Sequence, residues 1–498
     1  MKKMIAAILA LILALGLCAC GAVPAESTAA ETAGTDAQPA EETNADSFEA
    51  DKEKGLALFR DEDYEGAYEV LAQYADSGDA EISGVIGYCY YGGWGVEQDD
   101  AKAAEYLSIA ADADISEAQY MMGILYEYGY GVEQDDVKAA EYEAKAADAG
   151  YADAQLELGY FYAYGYGVEQ SYDKALEYYT LASEQGNTFA MTNIGIMYEC
   201  GNGVEQSHDK ALEYFTLASE QGNATATAYL GVMYEYGDGV DKDPKRAVEY
   251  YQKAADMGDA SATVNLGLMY EYGNGVDKDP KRAVEYYQKA ADMGNAAGQV
   301  SLGVMYECGN GVEQSYDKAL EYYTLASEQG DADATVNLGL MYEYGNGVDK
   351  DPKRAVECYQ KAADMGDARG QANLASMYRD GNGVQKDYAK AVEYYTLAAE
   401  QDNLMALNNL AILYLEGKGV EADETKAMEL YTRAAELGEP YAQYNLGFSY
   451  FMGKGVEKDY AKAAYWYNEC VNNPNADEKI IKEASEQLEN PNVKAALK

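Results

Sequence analysis

Gly93-Trp94-Gly95-Val96 is the first of eleven Gly-x-Gly-Val tetrapeptides in this chain, each 36 residues after the one before. The later copies begin at Gly129, Gly165, Gly201, Gly237, Gly273, Gly309, Gly345, Gly381, Gly417 and Gly453. A fixed period of this length is typical of a repeat protein, in which each unit is one supersecondary element. Such a unit cannot bury its own apolar face and must stack on its neighbours. The sequence therefore predicts one elongated array rather than separate globular domains.

One unit, from Asp259 to Gly294, predicts two helices joined by the Gly-x-Gly-Val loop. Asp259 is a suitable N-cap for the first, or A, helix, and the following residues recur at helical spacing: Ala262, Leu266, Met269 and Tyr270. Gly267 lacks a side chain, which would let a neighbouring helix approach closely. Asp279 and Pro280 suit the start of the second, or B, helix, with a buried stripe at Ala283, Val284, Tyr287, Ala290 and Ala291.

The repeat resembles the Sel-one-like repeat (SLR), a relative of the tetratricopeptide repeats. The resemblance lies in four motifs in a fixed order: Ala-x-x-x-Leu-Gly-x-x-Tyr, Gly-x-Gly-Val, Lys-Ala and Ala-Ala-x-x-Gly. The resemblance covers roughly Glu81 to Cys470. It implies an all-α fold, in which antiparallel helix pairs stack into a right-handed superhelical solenoid. It also implies a scaffold or adaptor rather than an enzyme, with no cofactor.

The first residues are predicted to direct the chain out of the cytoplasm. Lys2 and Lys3 precede an apolar run that is short for a membrane span, so residues 1–19 are interpreted as a signal peptide. Leu17-Cys18-Ala19-Cys20 resembles a bacterial lipobox, which implies cleavage before Cys20 and a lipid anchor on its sulfur. The expected location is therefore extracytoplasmic, at a bacterial cell membrane or envelope. Secretion without a lipid is the alternative.

The remaining boundaries follow from composition. Residues 20–50, rich in Ala, Glu, Thr, Ser and Pro, predict a disordered acidic tether with a span on the order of 30 Å. Residues 51–80 predict a capping helical hairpin, because Leu56, Phe59, Tyr64, Ala67 and Leu71 occur there without a Gly-x-Gly-Val loop. The repeat array is assigned to residues 81–474. A capping helix and tail are assigned to residues 475–498.

Charge excludes some partners. The chain has 37 Lys and Arg against 87 Asp and Glu, a net charge of −50. A field of this sign repels nucleic acid and anionic lipid surfaces. We therefore expect no nucleic-acid partner, and contact with the membrane only through the anchor. The protein is expected to be a monomer.

Three serines match a catalytic motif by spacing alone. Ser171, Ser207 and Ser315 each begin Ser-x-x-Lys, the nucleophile motif of penicillin-recognising enzymes. In other repeats the same position holds an aspartate before the B helix: Asp243, Asp279, Asp351 and Asp387. A side chain there is expected to cap the helix. The companion motifs Ser-Asp-Asn and Lys-Thr-Gly are absent, so no catalytic residue is predicted.

Histidine and cysteine usage limits the remaining chemistry. His208 is the only histidine, which excludes a histidine-based metal cluster and a Ser-His-Asp site. No metal site is predicted. Beyond Cys20 no repeat contains a cysteine pair, so free thiols are predicted at Cys89, Cys200, Cys308, Cys358 and Cys470. A related cysteine-rich subfamily carries a disulfide in each unit, and its absence here weakens any implication of penicillin binding.

A second stripe on the A helices is the candidate binding surface. Val264, Leu268 and Tyr272 are spaced by four and lie opposite the Leu266 and Tyr270 face. The candidate groove residues are Tyr128, Tyr160, Tyr164, Val232, Tyr236, Leu268, Tyr272, Leu340 and Tyr344. In related arrays the first helix lines the concave face, so the stripe would hold a protein loop or extended peptide. The alternative is that stacked A helices bury it, since tyrosine fits either place.

The hypothesis is therefore a lipid-anchored extracytoplasmic scaffold that binds protein through the concave face of the array. Two alternatives rest on the family alone. One is a cell-wall or β-lactam-binding enzyme like the cysteine-rich relatives. The other is a periplasmic regulator that holds a membrane sensor inactive.

Overall fold

The computed structural model describes residues 44–496, with side chains from Ser47 onward. Within this range the chain forms 26 α-helices and one short 3-10 helix, and no β-strand. It divides into two compact units, of which unit 1 ends at Asp243 and unit 2 begins at Pro244. None of the helices in the described range is both long and apolar enough to cross a lipid bilayer.

A and B helices alternate in both units, as the repeat predicts. Unit 1 has A helices at Ala80–Gly92, Ser116–Tyr128, Ala152–Tyr164, Thr188–Cys200 and Ala224–Tyr236, and B helices at Asp100–Asp112, Asp136–Asp148, Tyr172–Glu184 and His208–Glu220. Unit 2 begins with the B helix Pro244–Asp256. Its A helices are Ala260–Tyr272, Ala296–Cys308, Ala332–Tyr344, Ala368–Asp380, Leu404–Glu416 and Pro440–Met452, and its later B helices are Pro280–Asp292, Tyr316–Glu328, Pro352–Asp364, Tyr388–Glu400, Glu424–Glu436 and Tyr460–Asn472.

The first helix corrects the predicted tether boundary. It spans Asn44–Arg60, so residues 44–50 are helical rather than part of a disordered segment. The reason is a tertiary contact, since Phe48 packs edge-on against Tyr74 with ring centroids 5.0 Å apart. The Tyr74 hydroxyl also donates to Asp51 Oδ2 at 2.8 Å. The rest of the predicted tether, the signal peptide and Cys20 lie outside the described residues.

Helical segments cover both ends of the array. After the first helix, unit 1 continues with the helix Tyr64–Leu71 and the 3-10 helix Ala72–Ser77. At the other end, Asp477 caps the helix Glu478–Leu488, and a short helix, Pro491–Ala496, follows. Ile480, Ala484 and Val493 pack there against the last B helix.

The two glycines of the loop have different functions. Gly273 and Gly275 both adopt positive φ, +76° and +73°, which residues with a Cβ rarely adopt. Gly273 ends the A helix as its left-handed C-cap. A Cβ on Gly275 would collide with the carbonyl oxygen of Pro244, at the start of the preceding B helix. The second glycine therefore lets each loop lie directly on the previous repeat.

A third glycine brings the two helices of one repeat together. A Cβ on Gly267 would lie 2.5 Å from Cε1 of Tyr287, so the missing side chain makes room for the tyrosine ring. The Tyr287 hydroxyl then donates to Glu271 Oε2 at 2.7 Å. The same bond recurs at 2.7 Å from Tyr323 to Glu307 and from Tyr359 to Glu343. The predicted close approach at Gly267 is confirmed, and Tyr287 is the side chain that approaches.

Adjacent repeats are joined by polar bonds as well as by apolar packing. In unit 2 the Tyr286 hydroxyl donates to Gln252 Oε1 of the previous B helix at 2.9 Å, and Tyr322 to Gln288 at 3.0 Å. Val264 shares a buried cluster with Tyr287 of its own repeat and Leu302 of the next. Each hairpin therefore depends on its immediate neighbours for burial.

Candidate functional site

The last residue of the A helix is the most exposed part of the predicted stripe. Five repeats have tyrosine there, and all five side chains are exposed. They are Tyr128, Tyr164 and Tyr236 in unit 1, and Tyr272 and Tyr344 in unit 2. Each is followed by a left-handed glycine that ends the helix, as Gly237 follows Tyr236. The ring therefore extends beyond the part of the hairpin that its neighbour covers. We call these five residues the terminal tyrosines.

Exposure increases along each stripe towards the terminal tyrosine. Val264 is only 7% exposed, Leu268 is 36% exposed and Tyr272 is 70% exposed. The middle residues Val232 and Leu340 are half-buried, and Tyr160 is exposed. The first position of the stripe, which is not among the candidate groove residues, is therefore buried between repeats, because Val264 shares an apolar cluster with Leu302 of the next repeat. Val336 is likewise buried, as are Tyr120 and Ile124 of unit 1.

The densest aromatic surface lies in unit 1 and includes residues that the stripe did not predict. Tyr160 and Tyr164 have ring centroids 4.4 Å apart, and Tyr164 lies 6.0 Å from Tyr166. Tyr128 stacks on Tyr130 at 5.6 Å. Tyr130 and Tyr166 are the variable residues of their Gly-x-Gly-Val loops. The signal was present in the sequence, since later loops have Asn, Asp or Lys at that position.

Beside this surface lies a group of carboxyls, one buried and the others half-buried, that sequence reasoning missed. Glu143 is 1% exposed, and neither of its carboxyl oxygens has a hydrogen-bond partner within the described chain. Burial raises its pKa well above the usual range, and the nearby carboxyls of Glu157, Glu127 and Asp153 raise it further. Burial also raises the pKa of Glu157 to about 7 and that of Asp153 to about 6. At neutral pH Glu143 therefore holds a proton that a surface carboxyl would release, and Glu157 is partly protonated.

A cleft of about 360 Å³ opens beside this group in unit 1. Leu56 and Phe59 of the first helix, with Tyr88 and Met121 of two A helices, supply its apolar lining. Carboxyls surround it, at Glu62, Glu81, Glu117 and Asp153, against one cation, Arg60. The cleft has the size of a small binding pocket, and its acidic margin favours a cationic occupant.

The serines of the Ser-x-x-Lys motifs serve as helix caps. Ser171 accepts a hydrogen bond at 3.4 Å from the backbone N–H of Lys174, and Ser207 and Ser315 do the same with Lys210 and Lys318. The capping prediction is confirmed. The Nδ1 atom of His208 lies 3.0 Å from Oε2 of Glu199, and this hydrogen bond raises the pKa of the imidazole.

The thiols are placed as free groups. All five cysteines of the described range lack a disulfide partner: Cys89, Cys200, Cys308, Cys358 and Cys470. Cys200 and Cys308 are exposed and occupy terminal-tyrosine positions in their repeats. The described residues also contain no group of three or more acidic, histidine or cysteine side chains arranged to hold a metal ion.

Comparison with known proteins identifies the repeat. Eleven consecutive segments match the sequence profile of the Sel1 repeat: residues 85–115, 116–151, 152–187, 188–223, 224–259, 260–295, 296–331, 332–367, 368–403, 404–439 and 440–469. Each segment contains one A helix and one B helix, apart from the start of the helix Ala80–Gly92 and the end of the helix Tyr460–Asn472. No curated protein matches the chain.

Two solved structures are similar to the chain. One is a protective antigen with an SLR fold, present in uropathogenic Escherichia coli strains. It is 34% identical, with a TM-score of 0.52, and the match covers 86% of this chain and 92% of the antigen. The other is a Sel1 repeat protein from Oxalobacter formigenes. It is 33% identical, with a TM-score of 0.45, over 49% of this chain and 96% of that protein.

The Glu143 site predicts a pH-dependent effect of one substitution. Glu143 has a raised pKa in the folded chain, so its contribution to stability is full below its ordinary value of 4.5 and is lost as pH rises towards the folded value. Glu127, Asp153, Glu157, Tyr120 and Tyr151 face it from the neighbouring A helices and the loop. We expect Glu143→Gln to stabilise unit 1 at pH 8, by about 1–3 kcal/mol, and to have little effect at pH 5.

Thermal unfolding of both proteins at the two pH values measures this difference. Glu169→Gln is the matched control, because it makes the same substitution in an exposed loop. An equal effect of Glu143→Gln at both pH values would contradict the assignment.

Proposed function

Because the chain belongs to the Sel1 repeat family, we propose that it is a membrane-anchored extracytoplasmic scaffold that binds another protein through the terminal tyrosines. The family supports a scaffold that mediates protein–protein interaction. The observation that carries the finer proposal is the exposure of the terminal tyrosines, such as Tyr236 and Tyr272, at one register position in several repeats.

Tyrosine at this position suits recognition of protein. An exposed ring has a large apolar area to bury and a hydroxyl to hydrogen-bond, and only two side-chain torsions become fixed on binding. Aromatic residues are accordingly enriched among those that dominate binding energy at protein interfaces. Exposed side chains at a fixed interval also match an extended partner, which can contact one repeat after another.

Catalysis has less support than binding. The serines that match a nucleophile motif, Ser171, Ser207 and Ser315, direct their hydroxyls to backbone N–H groups. In the described part of the chain, each serine hydroxyl accepts a hydrogen bond from the backbone N–H of a lysine. Within that part, none of the three forms a hydrogen bond with a general base, which a serine nucleophile requires. A scaffold therefore accounts for these residues with fewer assumptions than a β-lactam-binding enzyme.

The proposed location rests on sequence alone. Lys2, Lys3 and the apolar run that follows match a secretory signal, and Leu17 to Cys20 matches a lipobox. A lipid on Cys20 would hold the acidic array at the membrane without requiring its surface to bind anionic lipid.

Replacing Tyr236, Tyr272 and Tyr344 by Ala is expected to weaken capture of the protein partner at least tenfold, because about 1–2 kcal/mol is lost for each truncated aromatic anchor. Proximity labelling in the native cell identifies the partner, and its affinity for purified wild-type and variant chains is then measured. The triple variant with Phe at the same three positions is the matched control, since it keeps the aromatic rings. Unchanged affinity of the Ala set would reject the tyrosine surface.

Replacing Cys20 by Ala is expected to release the chain from the membrane fraction into the medium or periplasm, because the thiol that carries the lipid is gone. Cys18→Ala is the control and should leave the chain on the membrane. Fractionation followed by immunoblotting distinguishes the two. Membrane association of the Cys20 variant equal to that of the wild type would contradict the anchor.

A further inference from the structure

Two substitutions in neighbouring repeats set one part of unit 1 apart from the rest of the array. Glu143 stands where most repeats have an aromatic residue: Tyr179, Phe215, Tyr251, Tyr287, Tyr323, Tyr359, Tyr395, Tyr431 and Tyr467. Glu157 stands where most have asparagine: Asn193, Asn265, Asn337, Asn373, Asn409 and Asn445. Glu157 is also the strongest charged neighbour of Glu143. Two neutral residues of the general pattern are therefore replaced by two acids at the same place.

The replacement leaves a polar group without its usual partner. In other repeats the B-helix tyrosine donates to the A-helix glutamate, as Tyr287 does to Glu271. Here Glu143 fills the same space beside Gly123 and faces Glu127, the residue that corresponds to Glu271. Two carboxyls cannot reproduce a hydroxyl–carboxylate bond when both are ionised. Buried carboxyls in this arrangement require either protons or a cation from outside.

Among the described residues, no cation lies beside these carboxyls. None of Glu127, Glu143, Asp153 and Glu157 forms an ion pair within the described residues, and every charged neighbour that acts on Glu143 or Glu157 is another carboxyl. Lysines elsewhere in unit 1 lie over tyrosine rings, such as Lys138 over Tyr126 at 4.9 Å. In the described chain no lysine or arginine covers Tyr128 or Tyr160, which both lie near Glu157.

Solvent reaches this group from the aromatic side. Glu127 and Glu157 are half-buried, and the rings of Tyr128 and Tyr160 beside them are exposed. A carboxylate pair beside exposed aromatic rings can bind a planar cation in two ways, through charge-assisted hydrogen bonds and through cation–π contact. A divalent metal fits less well, because the described residues provide no set of three ligands for one.

We propose that Glu157 and Glu127, beside the exposed rings of Tyr128 and Tyr160, bind the guanidinium of an arginine on the partner protein. Glu143 lies beneath and adds negative charge when it ionises. The proposal rests on the proposed function, because it names the partner chemistry of a protein-binding surface. One arginine of the partner binds unit 1 at this site, and the terminal tyrosines contact the rest of the partner.

A labelled peptide tests the site directly. The probe is fluorescein-labelled Ser-Gly-Arg-Gly-Arg-Gly-Ser, and the matched probe has citrulline, a neutral isostere, at both arginines. Fluorescence anisotropy with the full chain at physiological ionic strength is expected to show about tenfold tighter binding of the arginine peptide, the effect of one charge-assisted bidentate contact. Salt at this concentration screens the general field of the acidic surface.

Protein variants separate the site from net charge. Glu143→Tyr with Glu157→Asn restores the residues of other repeats and is expected to abolish the difference between the peptides. Glu157→Asn alone, which leaves the core unchanged, is expected to reduce it. Glu169→Gln with Glu205→Gln removes the same charge from exposed loops of unit 1 and should keep the difference.

Three results would overturn the proposal: no binding of the arginine peptide, equal affinity for both peptides, or full discrimination by the double variant. The variant with Ala at positions 236, 272 and 344 should still bind the arginine peptide more tightly than the citrulline peptide, because Tyr236, Tyr272 and Tyr344 lie outside the site. If discrimination fails while partner capture still depends on those tyrosines, the arginine site alone is rejected.

Discussion

The structure depends on a glycine or alanine at one position in the middle of the A helix. Gly267 leaves the space into which the ring of Tyr287 fits, and the buried ring then holds the two helices together through its bond to Glu271. Where Ala375 replaces the glycine, the facing Tyr395 is still fully buried, and its hydroxyl pairs with Ser376 instead. A hairpin closed in this way still has apolar faces on both sides, and stacking is how a repeat protein covers them.

The fold was largely predictable because its signals are local. Helix ends follow from caps and left-handed glycines, so Asp259, Gly273 and Asp279 mark the helix boundaries in the sequence. Contacts between distant residues were not predictable in the same way. The collision that a Cβ on Gly275 would make with Pro244 depends on how one repeat lies on another. Likewise, the early start of the first helix depends on Phe48 meeting Tyr74 across the hairpin.

The candidate site was predicted only in part, for a related reason. Helical spacing placed Val264, Leu268 and Tyr272 on one stripe, but spacing does not show how far the next repeat extends along it. The acids were missed because glutamate in a helix usually faces water, and Glu143 looks ordinary until it is compared in register with Tyr287. In a repeat protein, such departures from the common residue are the strongest sequence signal for a local function.

The contact between Gly267 and Tyr287 is tested most directly by hydrogen exchange in Gly267→Val, measured by mass spectrometry. The account predicts faster exchange, by about tenfold or more, in Ala260–Tyr272 and Pro280–Asp292, since overpacking of this kind costs about 1–3 kcal/mol. Distant hairpins should keep wild-type rates, and Leu268→Val, which changes the adjacent side chain, should leave all hairpins nearly unchanged. Wild-type protection of both helices in Gly267→Val would contradict the account.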